Sequence, residues 1–89
     1  MGRQHRLDAE LAVLFGRSTL AQAKQVRLEA LDVDAELVAE GARQLRQAGG
    51  QPVRQRAIVQ AMDEDTALVL CKWILEPDMG QQLHNRSVL

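Results

Sequence analysis

The sequence predicts an all-α protein, a small bundle or array of about five short helices forming one domain over residues 1–89. Three observations lead there. Apolar residues recur at helical spacing along most of the chain, and the gaps carry residues that start or stop helices: Gly16, Asp32 to Asp34, Gly49 to Pro52, and Asp63 to Asp65. Aromatic residues make up 2% of the chain and Tyr is missing, so Leu, Val and Ala must supply the packing. The one short apolar run that could be a strand, Thr66 to Leu75, has no second strand candidate to pair with.

That run is the most apolar in the chain and holds its only Trp. Read as a helix, it places Ala67, Cys71 and Ile74 on one side with Leu68 and Leu75 beside them, and Val69, Leu70 and Trp73 opposite. Only Lys72 breaks the apolar circumference, so the helix must be covered on most faces by its own chain or by a partner. Asp63, Glu64 and Asp65 suit the positive end of such a helix, and Pro77 stops it after Glu76.

The remaining elements follow in chain order. Residues 1 to 6 read as a mobile basic arm. Leu7, Leu11, Leu14 and Phe15 form the stripe of a first helix, with Gly16 as its C-terminal cap. Ser18 is the expected N-cap of a second helix from about Thr19 to Leu31, with Leu20, Ala23, Val26, Ala30 and Leu31 on a shared face. Two Asp residues in Asp32-Val33-Asp34 favour a break; with Asp34 as N-cap, Val33 and Val38 take the two positions of a hydrophobic staple. The third helix carries Leu37, Val38, Ala42 and Leu45 on one side, and Gly41 among them is small enough for another helix to come close.

Gly49-Gly50 ends this helix, with Arg43 and Arg46 near its negative pole, and Pro52 is pre-organised for the first position of a fourth helix. That helix, about 52 to 62, places Val53, Ala57, Ile58, Ala61 and Met62 within one half of its surface, flanked by Arg54 and Arg56. Beyond Pro77 the chain is polar except for Met79, Leu83, Val88 and Leu89, and a mobile end of about 78–89 is expected. The first helix offers four large side chains and the fourth three, too few to surround the Thr66 to Leu75 helix. A homodimer or hetero-complex is therefore expected to complete its burial.

Composition narrows function more than it assigns it. A net charge of −1 supplies no global attraction to nucleic acid or anionic membrane. The single cysteine, Cys71, cannot form an intramolecular disulfide, and the charged opening Met1 to Glu10 is unlike a signal-peptide core. The longest apolar stretch, interrupted by Lys72, is too short to span a bilayer. No membrane insertion and a cytoplasmic location are expected. His5 and His84 have no second ligand near them, and Cys71 sits within an apolar run, so neither a metal centre nor a reactive thiol is expected. The carboxylate pairs fall where helix caps belong, and Gly49-Gly50 lacks the Lys-Ser or Lys-Thr of a phosphate loop. No catalytic residues and no cofactor are expected.

Two binding readings remain. In the first, the protein is an interaction module whose helix offers Leu70, Trp73 and Ile74 to a protein partner, with Trp73 as anchor. In the second, the helix, Gly-containing turn and helix spanning residues 43 to 56 bind DNA through Arg54 and Arg56, as in a helix-turn-helix regulator.

The segment Arg56 to Ile74, with an acidic lead at Asp63 to Asp65 followed by Ala67, Val69, Leu70, Trp73 and Ile74, resembles the cytoplasmic C-terminal tail of the flagellar MS-ring protein. Met62-Asp63-Glu64 stands where that tail usually has an Asp-Pro lead. In that family the helical tail docks into the N-terminal helical domain of a rotor switch protein. The resemblance implies a partner-binding helix, in a small soluble component or chaperone of a flagellar or related type III secretion apparatus.

Overall fold

The computed structural model describes residues 2–27 and 30–78, with side chains from residue 6 onward. Its helices are α1 (Gly2–Phe15), α2 (Arg17–Gln25), α3 (Ala35–Gln47), α4 (Pro52–Gln60) and α5 (Glu64–Leu75), and no strand occurs among the described residues. The all-α expectation holds. Helix α1 begins well before Leu7, so the backbone of residues 2–6 is helical where an arm was expected; of the expected mobile end, residues 79–89 lie outside the described residues.

Helix α5 is the axis of the fold. Thr66 through Cys71 are all buried, with α1, α2 and α3 packed around them. Over this stretch the chain supplies more cover than expected: Leu11 and Phe15 from α1, Leu20 and Ala23 from α2, and Val38 and Leu45 from α3 join one core cluster with it, and only the last turn is left half-buried. Helix α2 supplies the cover that a count limited to the first and fourth helices leaves out.

Lys72, the one charge on that circumference, reaches out of the core. Its side chain is 13% exposed, and its Nζ donates to the Ala23 carbonyl at 3.3 Å while pairing with Glu76 at 2.9 Å. Ala23 belongs to the last turn of α2, whose carbonyls have no intrahelical partner. The aliphatic stem is largely buried while the ammonium caps the neighbouring helix.

A single residue joins α1 to α2. The Gly16 N–H donates to Ala12 O at 2.9 Å, closing α1, and its carbonyl accepts from Leu20 N at 3.0 Å, opening α2. Its φ of 98° and ψ of 149° lie in a region open almost only to glycine. Gly16, not Ser18, therefore holds the N-cap position of α2, and Ser18 lies inside the first turn. Helix α2 also ends at Gln25 rather than near Leu31, because Val26 turns extended (φ −72°, ψ 144°). From the connection that follows, Val26, Leu31 and Val33 still pack on the core. Helical propensity, a few tenths of a kcal/mol per residue, is too weak to resist that tertiary gain.

At the start of α3 the Asp34 carboxylate accepts the Glu36 N–H at 2.9 Å, as the capping pattern predicts. The inward stripe is Val38, Gly41, Leu45 and Ala48, and Leu37, one step round the helix, is left 55% exposed. At Gly41 the close approach is real: a Cβ there would lie 2.5 Å from Met62 Cε and 3.2 Å from Leu70 Cδ2. Helix α4 turns a different face inward from the one expected. Gln55, Ile58, Val59 and Met62, spaced as one helical stripe, are buried or half-buried, whereas Ala57 and Ala61 are exposed and Val53 is 83% exposed.

Candidate docking groove

The last turn of α5 loses the cover its first turns enjoy. Trp73, Ile74 and Leu75 are only half-buried. Helix α4 leans on α1 and α3, and between these walls lies an open groove of about 980 Å³ with Leu70, Trp73 and Ile74 beneath it. One wall is α1, through Leu7, Glu10, Val13 and Leu14. The other combines Ala42, Leu45 and Arg46 of α3 with Pro52, Gln55 and Arg56 of α4. Val13, 63% exposed at the rim, is a large apolar side chain that the fold itself leaves uncovered.

The structure thus brings together part of the predicted site and separates the rest. Trp73 and Ile74 reach the groove, while Leu70 is fully buried and belongs to the core under it. Arg56 lines the groove; Arg54 is exposed on α4 but is not part of the lining. Sequence reasoning missed the α1 wall. The available signal was Ala9 and Val13, apolar residues that lie on α1 beyond Glu10 from the stripe of Leu7, Leu11 and Leu14.

The walls differ in charge. From Gly41 to Met62 the chain carries Arg43, Arg46, Arg54 and Arg56 and no acidic residue. Arg43 is engaged by Glu40 at 2.7 Å, whereas among the described residues neither Arg46 nor Arg56 has an ion-pair partner. On α1, Asp8 is paired with Lys24 of α2 at 2.5 Å, and Glu10 faces the groove.

Around α5 the polar chemistry is structural. Asp63 accepts the hydroxyl of the buried Thr66, and that bond holds its carboxyl below the usual carboxylate range. Burial, with a smaller push from the negative charge of Asp8, raises the Cys71 thiol to about 11, so it stays protonated and unreactive at neutral pH. Among the described residues no group of three or more His, Cys, Asp or Glu side chains is placed to hold a metal ion, and no helix is long and apolar enough to cross a membrane.

The helix, turn and helix expected over residues 43 to 56 are present. Helix α3, a turn with Gly49 at φ 62°, and the solvent-facing α4 form a helix-turn-helix outline, braced where Gln55 Nε2 donates to the Gly49 carbonyl at 2.7 Å. Helices α4 and α5 are also joined by a short turn, but the start of α5 exposes Asp63, Glu64 and Asp65, and Thr66 through Cys71 are buried. It cannot enter a groove of nucleic acid. In the segment that resembles the MS-ring tail, Ala67, Val69 and Leu70 lie in this chain's own core and Trp73 and Ile74 at its groove. Comparison with known protein families, curated proteins and solved structures finds no match for this chain.

Proposed function

We propose that this protein is a non-enzymatic interaction module that receives an apolar helix of a protein partner in the groove between α1 and the α3–α4 wall. The observation that carries this reading is that Trp73, Ile74, Leu7, Leu14 and the exposed Val13 converge on one open channel. Helix-in-groove recognition needs such a channel, and a Trp able to gain burial on binding is the side chain best suited to anchor it. Purification of the protein from its own cells tests this: a protein partner should stay bound to the wild type and be lost on Trp73→Ala and on Val13→Glu. The second substitution lies at an exposed position and spares the core. A wild-type chain recovered alone, as a monomer, would remove the reading.

The one ground for placing that partner in a flagellar or type III secretion apparatus, with this protein as a small component or chaperone, is the likeness of residues 56–74 to the MS-ring tail; the matched Ala67, Val69 and Leu70 are buried in this chain's own core, so here the helix would form part of the receiving surface and not the inserted tail. Recovery of a component of such a machine is the expected outcome.

A second reading, DNA binding by α4, is favoured by its exposure and by the acid-free run of four arginines from Arg43 to Arg56. Its test is an anisotropy titration with mixed-sequence duplex at low salt. Binding that falls steeply with salt and weakens in Arg54→Ala and Arg56→Ala would support it; absence of binding would end it.

A further inference from the structure

We infer that the occupant of the groove is an amphipathic helix of another protein that carries acidic residues along the flank facing α3 and α4. The inference rests on the groove being a docking site and adds which chemistry it selects. Arg46 and Arg56 stand on the same wall, and no carboxylate from Gly41 to Met62 neutralises that wall. An apolar occupant with Asp or Glu beside its buried stripe gains two ion pairs at the rim; one with Lys or Arg there meets repulsion.

Two nearer occupants fit less well. In a second copy of this chain, the exposed large apolar residues among those described are Val13, Leu37 and Val53, on three different helices, so no stripe is available to insert. The chain's own residues 79–89 contain Met79, Leu83, Val88 and Leu89 but no acid, and they carry Arg86. Their sequence cannot answer the arginines. The length of the site is set by α1: Leu7 to Leu14 spans about 10 Å of helix, so about two turns of the occupant engage. Glu10, on the opposite wall, favours a basic residue on the other flank and gives the docked helix one preferred orientation.

The test is a display library of amphipathic helices of about fourteen residues with a fixed Leu stripe and both flanks randomised. It is selected on the full chain, on Arg46→Glu/Arg56→Glu, and on Val13→Glu as the blocked groove. On the wild type, Asp and Glu should be enriched along one flank, and a selected peptide should bind at least about tenfold more weakly after its acids are changed to Lys. On the charge-reversed protein the preference should turn to Lys and Arg. Leu-stripe peptides retained without any flank preference, yet lost on Val13→Glu, would overturn the acidic inference while leaving the docking groove standing. No retention above the Val13→Glu background would overturn both. Retention that appears only after residues 79–89 are deleted would assign the groove to that segment and overturn the inference.

Discussion

Outside the apolar core, Lys72 is a side chain whose substitution should be felt. It is mostly buried, and its ammonium serves both a free carbonyl of α2 and Glu76. Lys72→Met keeps the stem but abandons the Ala23 carbonyl, so a loss of about 1–2 kcal/mol is expected in urea unfolding. Glu76→Gln should cost under about 1 kcal/mol, because that carboxylate is largely solvated. Gly16→Ala would force a Cβ into a backbone region it avoids, and although the surrounding space is empty the strain should destabilise the fold by about 1–3 kcal/mol. The thiol at Cys71 offers a different readout. Buried and protonated at neutral pH, it should resist an aromatic disulfide reagent in the native protein and react fully in denaturant.

At the scale of an element, α5 is fixed by the hydrogen bond from the Thr66 hydroxyl to Asp63 at its start and by the glycine on α3 that lets it close in. The Thr66 hydroxyl favours ionised Asp63 in the fold, so its contribution is fully present above the unfolded carboxyl value near 3.8 and is lost as pH falls through the lower folded value. Asp63→Asn should be less stable than wild type at neutral pH, and the gap should narrow in strong acid; a gap constant across pH would exclude this linkage. Gly41→Val should destabilise by about 2–3 kcal/mol, because the branched side chain meets buried Leu70. Gly41→Ala should cost less than Gly41→Val, since the flexible Met62 tip can move, Leu70 need yield only slightly to the single Cβ and helix propensity improves. Most of the element order was legible in the sequence, including the Asp34 cap, the Pro52 start and the role of Gly41, because these are local chemistry. The end of α2 and the buried face of α4 were not, because both depend on which neighbours are reached. Val53 and Val59 are alike in type, and only the position of α1 and α3 decides which of them is covered.

For the whole molecule, the sequence held half of the candidate site. Trp73 and Ile74 could be singled out by hydrophobicity, but a groove is a property of gaps between helices and no periodicity reports it. Nor could the pattern show that Leu70, one turn before Ile74 on the same face and of the same character, lies too deep under the groove to be touched. The joint at Gly16 has a mechanical consequence for that groove. With one residue between them, α1 and α2 have no slack, so swinging α1 aside would drag α2 off the core it shares with α5. The opposite wall is held less firmly: Val59 is the only residue of α4 that is buried outright. Any guest too wide for the resting channel should therefore be admitted by displacement of α4 while α1 stays put, a door hung on one side. Native-state hydrogen exchange should find the amides of α4 opening well before those of α1 and α5, and slowing most when a helix is bound.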